Sequence, residues 1–474
     1  FFRAAACMGN ECPSAVRRQN GSSKCPLEDP GAPESDHLKP SQPTYWEDAC
    51  RFVTDNWSVI GANTIQWYEF SAYAFVEPEL AENFFGGSSL GAWLGYGTTF
   101  VARPLGGLLF GILSDKLGRK PAMLGSVSLM AISTVGQGLI PRLPVLGTTC
   151  LMLCRIGQGL STGGEFGTVS IFFVEASPKQ IKGFAATMMS FGSTLGMLVA
   201  SSAIHGLRSC LTAQQMTDWG WRIPFLTVAV PALITIWSVH ADVEETDEFL
   251  DRRKEDLQGA DNDLAIETVT VLSEYWLQGL LSITGQACRM SALYLGAVNI
   301  PTWMVTNCGI PASTASVFTM SGLLVGLLLT PAVGVLTDHL GAAKCNLLAT
   351  GLTAALALPT YVMFYHKGAN RLLGLAASGS IGMMIAINSS VFLWAVGLFP
   401  VEVRGVTVSF YSNMASLIGG LSPTICSLMS NPLTPAYFMV VAALCSGCAF
   451  ITSLYFHSNG GQPVKVAHLI EEPY

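Results

Sequence analysis

"GILSDKLGRK", residues 111–120, gathers Asp115, Lys116, Arg119 and Lys120 into ten positions. "LGAWLGYGTTFVARPLGGLLF" precedes it and "PAMLGSVSLMAISTVGQGLI" follows it. Each flank, wound as a helix, is long enough to cross the roughly 30 Å apolar core of a bilayer. A short charged hairpin between two such flanks reads as a loop held at a membrane surface. A worn copy, "GVLTDHLGAAK", returns at 334.

The rest of the chain has the same character. Hydrophobic residues fill 50% of the 474 positions and charged residues only 12%, about half the charged share of an ordinary soluble domain. Stretches such as 121–140, 223–240 and 346–364 carry no charge at all. The net charge of −7 comes largely from two acidic stretches, 77–82 and 242–263, and no basic patch suits nucleic acid. Cys7, Cys12, Cys25 and Cys50 lie in the polar N-terminal region, and the other cysteines are scattered through apolar segments. None follows a metal spacing, so neither a metal nor a cofactor is expected.

Apolar windows separated by charged or Pro/Gly breaks predict an all-α polytopic membrane protein with twelve transmembrane helices. Six lie near 57–76, 89–113, 121–140, 146–174, 183–206 and 222–240. Six more lie near 275–299, 312–337, 345–365, 371–397, 405–428 and 435–456. Residues 1–55, Pro-, Ser- and Asn-rich over the first 45, are expected to form a disordered cytoplasmic N-terminus. The remaining boundaries are an N-terminal six-helix bundle at 56–240, a cytoplasmic connection at 241–272, a C-terminal bundle at 273–457 and a cytoplasmic tail at 458–474.

Connections after even-numbered spans hold Lys116, Arg119, Lys120, Lys179, Lys182, Arg252, Arg253, Lys254, Lys344 and Arg404. Those after odd-numbered spans hold only Arg142, Arg208, Lys367 and Arg371. The positive-inside rule therefore puts the even loops and both termini in the cytoplasm. The halves are also copies. Gly111 and Asp115 recur as Gly334 and Asp338, an offset of 334 − 111 = 223, and Pro178 and Gly183 recur as Pro400 and Gly405, an offset of 400 − 178 = 222. Six spans repeated in the same orientation imply two bundles related by an axis along the membrane normal.

An ionisable group inside the membrane is costly unless it has a partner or a wet cavity, which makes each one a functional candidate. Span four spaces Arg155, Gln158, Thr162 and Glu165 by 3, 4 and 3 residues, within about an 80° arc of the helix. Span one places Asn63, Gln66, Glu69 and Tyr73 on one side, within about 120°. Both stripes are expected to line a central cavity. Arg289 lies near the middle of span seven, beside Gln286 and on a face with Gln278, Ser282 and Gly285. A guanidinium there can clamp a carboxylate. Expected substrate contacts are thus Arg155, Gln158, Arg289, Gln286, Gln66 and Tyr73. Glu69 and Glu165 are the expected proton carriers, with Arg103 as their ion-pair partner. Glu175 and Arg222, near span ends, read as structural, and Gly192, Gly196 and Ala200 as a close-packing stripe.

Several stretches resemble the major facilitator superfamily, over nearly all of 56–457. "GILSDKLGRK" is similar to its signature loop between the second and third helices. "GANTIQWYEFSAYAF", "RIGQGLSTGGEFG", "DWGWRIPF", "EETDEF" and "YLGAVNIPTWMV" resemble the metabolite:proton symporter branch. The chain departs from that branch at Gln66 and Glu69, where Glu and Asp are usual, at Asp247 in place of Pro, and at Ala342 and Ala343 in the second loop. The resemblance implies the major facilitator fold and alternating access. It also implies a cytoplasmic latch of Gly111, Asp115, Gly118, Arg119 and Arg404 across the seam between halves.

These readings point to proton-coupled symport of a small organic anion or zwitterion by a monomer in the plasma membrane, an organelle membrane being the alternative site. Two alternatives are a facilitative sugar-type uniporter and a non-transporting nutrient receptor, the latter suggested by the worn second loop. No nucleophile–base or metal spacing points to an enzyme.

Overall fold

Residues 43–242, 270–367 and 370–458 are described by the computed structural model. The first six spans are Trp57–Phe75, Ser89–Leu117, Arg119–Leu139, Pro144–Glu175, Lys182–Cys210 and Gly220–Ala241. Span seven is broken into Trp276–Leu293, a π-helical turn Tyr294–Asn299, and Ile300–Cys308. Spans eight to twelve are Ala312–Leu340, Ala342–Lys367, Arg371–Gly397, Arg404–Ser427 and Thr434–Ser458. Most of the acidic connection at 242–263, Asp247 among it, lies outside the described residues.

Seven of these spans are apolar enough to be recognised by hydropathy alone, namely three, five, six, eight, nine, ten and twelve. The remaining five are one, two, four, seven and eleven. They carry Glu69, Arg103, Arg155, Glu165, Arg289 and Asn413, all buried. Their lower hydropathy follows from what their polar sides face, which is other helices: span five for span one, each other for spans two and four, and spans eleven and twelve for span seven. In a bilayer the polar side of such a helix must turn away from lipid.

Small residues set how close the spans come. A Cβ on Gly163 of span four would overlap the Arg103 carbonyl of span two, and one on Gly196 of span five would overlap the Thr64 carbonyl of span one. Backbones at that distance gain dispersion contacts that larger residues would prevent. Left-handed backbone is needed at two matched turns. Gly118, φ 113°, ends span two, and Gly341, φ 82°, ends span eight at 118 + 223 = 341.

The expected N-terminal disorder stops short of residue 55. Residues 1–42 lie outside the described residues, but Tyr45–Asp55 is a helix. A capping box between Thr44 and Glu47 starts it, and Asp48, Ala49 and Phe52 give it a buried face. Gln180 donates to Asp48, and Phe52 packs edge-on to Phe173 with centroids 5.8 Å apart. Those contacts fasten this juxtamembrane helix to the first half.

Gly163→Val should drive a side chain into the Arg103 carbonyl, at a cost of about 3 kcal/mol or more. A thermal-unfolding scan of detergent-purified protein should show a lowered midpoint, while Gly61→Ala, where nothing lies within 4 Å, should unfold as the native chain does.

Candidate functional site

Arg155 is wholly enclosed. Its guanidinium carbon lies 4.0 Å from the Tyr73 ring centre, 5.4 Å from Tyr96 and 5.5 Å from Phe70. Such π faces suit a flat, weakly hydrated cation. Its Nη1 donates to Gln158 Oε1 at 2.6 Å, whereas Nη2 has no partner. Gln158 Nε2 then donates to Thr134 Oγ1 at 2.7 Å, and Thr134 donates to Glu69 Oε2 at 2.8 Å. A continuous hydrogen-bonded chain therefore runs from span four through span three to span one. Gln66 Nε2 donates to Ser161 Oγ at 3.2 Å, Tyr73 to the Ala92 carbonyl at 3.0 Å, and Asn63 to the Met189 carbonyl at 2.7 Å. The span-one stripe is thus enclosed against spans two, four and five.

Arg103 does not pair with either acid. Its Nη1 donates to Tyr294 Oη at 2.7 Å, across the halves, and its carbon lies 4.6 Å from both Phe70 and Phe100. Nε and Nη2 are unbonded. The expected ion pair fails because Tyr294, in the π turn of span seven, and the two rings already occupy the guanidinium. Glu165 is also unpaired, with neither oxygen accepting a bond. On the second half, Arg289 Nη2 donates to Ser190 Oγ at 3.3 Å, again across the halves, and Nε and Nη1 are unbonded. Gln286 donates to Ser282 and Ser412 and leaves its oxygen free. Among the described residues, Arg103, Arg155 and Arg289 thus each have donors to spare, and Glu165 is unbonded.

At the face carrying residues 111–120, the halves are in contact through two groups. In the first, Glu175 accepts from Arg119 at 3.4 Å and Arg404 at 3.0 Å, with all three side chains buried. Glu175, read from sequence as structural, is therefore the acid that joins the two arginines across the seam. The side chain of Asp115 lies outside the described residues. Gly111 fits its place, since a Cβ there would lie 2.9 Å from the Gly405 carbonyl and 3.1 Å from Val406 Cα.

The second group belongs to the worn copy. Asp338 accepts from the Gly183 amide at 2.5 Å and the Phe184 amide at 3.0 Å, at the N-terminus of span five. Unpaired amides and the helix dipole make that end a natural seat for a carboxylate. Tyr45 of the juxtamembrane helix adds a third donor at 2.8 Å. Burial, and after it the charge of Asp338, hold the Tyr45 hydroxyl well above the ordinary phenol range, so it stays protonated and donates. The repeat offset pointed to Asp338, since 115 + 223 = 338. Nothing in the sequence pointed to Tyr45, to Glu175 as a bridge, or to Thr134, a neutral residue on an apolar span.

Clefts on the opposite face include one of about 510 Å³ and one of about 450 Å³. Trp93 and Trp303 border the first, His205 and Arg208 the second, and Thr302 and Thr306 border both. Arg155, Arg289 and Glu165 line neither.

Comparison with known proteins agrees with this architecture. The Major Facilitator Superfamily model matches residues 59–423. The chain is 28% identical over 426 residues to a proline/betaine transporter of Escherichia coli (strain K12), covering 85% of this chain and 83% of that one. It is 28% identical over 421 residues to an alpha-ketoglutarate permease of the same strain, covering 85% and 94%. A structure of the proton:xylose symporter XylE matches with a TM-score of 0.70 at 16% identity, over 87% of this chain and 96% of that one. The expected twelve-helix fold, in two six-helix halves, is borne out. The chain belongs to the Major Facilitator Superfamily and is a multi-pass membrane transporter of small organic solutes, not an enzyme.

Proposed function

We propose that the protein carries a small zwitterion, or a related organic anion, by proton-coupled symport with alternating access. The observation that carries this reading is the set of guanidinium nitrogens on Arg155 and Arg289, and of carboxylate oxygens on Glu165, that are buried without a partner among the described residues. Buried donors without acceptors are rare because each costs about 1–3 kcal/mol. They suit a carboxylate arriving from outside, which a guanidinium binds through two parallel bonds. Glu165 needs a cation or a proton, since an unpaired buried carboxylate is costlier still. A zwitterion supplies both complements. The similarity to proline/betaine transporters supports the zwitterion, and that to an alpha-ketoglutarate permease supports the anion. A neutral sugar would offer hydroxyls to these groups but would neutralise none of their charges.

In this reading Arg155, Gln158, Arg289, Gln286, Gln66 and Tyr73 meet the solute, and Glu69 and Glu165 take the proton. Gly111, Gly118, Arg119 and Arg404 act with Glu175 and Asp338 as the latch, to which the family resemblance adds Asp115. The closed face is the cytoplasmic one, both termini lie on that side, and the clefts face outward. The protein works as a monomer in the plasma membrane.

Uptake of glycine betaine, proline, alpha-ketoglutarate and xylose into proteoliposomes, with and without an inward proton gradient, tests the proposal. Gradient-stimulated uptake of a carboxylate-bearing solute is the expected result; uptake of xylose alone, equal in both conditions, would overturn it. Arg289→Gln should raise the KM for that solute about tenfold or more, the loss of one charge-assisted contact. Asp338→Asn should leave membrane insertion intact yet cut net uptake about fivefold, because a face that no longer closes holds the carrier in one state. Wild-type flux in that variant would remove Asp338 from the latch.

A further inference from the structure

We propose that Thr134 and Gln158 form a relay whose direction of hydrogen bonding reverses when a solute carboxylate occupies Arg155, so that Glu69 is protonated as the solute binds. The proposal rests on the symport reading above and assigns the coupling step within it to two neutral residues.

The polarity of the relay follows from a donor count. A guanidinium only donates, so Gln158 must turn its amide oxygen to Arg155, as it does at 2.6 Å. That leaves its NH2 facing Thr134, whose oxygen accepts at 2.7 Å. The single Thr134 proton is then committed to Glu69, 2.8 Å away. A carboxylate that accepts a hydrogen bond is stabilised in its charged form. With Arg155 bonded to Gln158, the whole chain therefore favours an unprotonated Glu69. All four side chains are buried.

When a solute carboxylate takes the Arg155 donors, Gln158 loses its reason to present oxygen there. Turned over, its NH2 meets the solute carboxylate and its oxygen meets Thr134. The Thr134 hydroxyl then donates to Gln158 and withdraws its proton from Glu69. Glu69 is left facing an acceptor, and the arrangement closes only if Glu69 binds a proton and donates to Thr134 Oγ1. One proton is taken up from water, and no covalent bond other than O–H is made. Release of the solute reverses each step.

Span four brings Glu165 to Glu69, near enough for each acid to feel the other's charge. Tyr68 neighbours Glu69 on its own span. Between their ends, spans three, five and six carry no charged side chain toward it, and Glu77, Glu79 and Glu82 lie beyond the end of span one. Thr134 is the hydrogen-bond donor recorded to Glu69 among the described residues.

The test uses the full chain in proteoliposomes, with glycine betaine and alpha-ketoglutarate as probes. Two readings are taken across external pH: uptake driven by a proton gradient, and counterflow of labelled against unlabelled solute at equal pH. The wild type should show gradient-stimulated uptake; if neither probe is stimulated, the symport reading fails and the relay with it. Given stimulation, Thr134→Val should cut the ratio of driven to undriven uptake about fivefold or more, since the lost bond reaches a charged group. It should also flatten the pH profile while counterflow persists. Thr134→Ser, which restores the hydroxyl, should restore both. A Thr134→Val protein with the native ratio and pH profile would overturn the relay and leave symport standing. So would one in which counterflow is lost along with driven uptake and Ser does not rescue it.

Discussion

Arg155 carries a charge that it does not give up at any physiological pH, and its side chain is entirely enclosed. That constraint arranges everything near it. Tyr73, Phe70 and Tyr96 turn their faces to it, and Gln158 turns its oxygen. Through Gln158 the charge dictates the orientation of Thr134 and the bond that Glu69 receives. A lysine would not impose this order, because it lacks the planar fork and loses its proton more readily when buried. The interior is therefore organised by one fixed cation whose valence is left incomplete.

The halves are copies, but different chemistry closes them. In the first-half hairpin, Glu175 spans two arginines. In the second, the positions matching Arg119 and Glu175 hold Ala342 (119 + 223) and Gly397 (175 + 222), and that charge cluster is gone. What survives is Asp338 on the backbone amides of span five, joined by Tyr45 from the juxtamembrane helix. The loop that looked worn in sequence keeps its carboxylate in place, which removes the feature that had suggested a non-transporting receptor.

Periodicity and charge placement made most span ends legible to within a few residues, because lipid enforces a long apolar face on every helix that crosses it, but span seven runs on from its expected end at 299 to Cys308. The polar stripes of spans one and four were legible for the same reason, since Arg155, Glu165 and Glu69 break an otherwise apolar pattern. Pairings were not. Arg103 was expected beside an acid and instead meets Tyr294 and two phenyl rings, a choice set by how span seven unwinds locally. Glu175 and Thr134 gave no signal, because an acid at a span end and a threonine in a span are both common. Tyr45 lay in a stretch whose composition suggested disorder, yet a capping box and Phe52 suffice to dock it.

The two amides that hold Asp338 are consecutive residues on a single helix end. A rigid helix cannot withdraw Gly183 while leaving Phe184 behind. Any tilt of span five away from span eight thus strips the carboxylate of both amides in the same movement, leaving Tyr45 as its donor. Such a closure snaps rather than peels, and the carrier spends its time at the extremes of its swing.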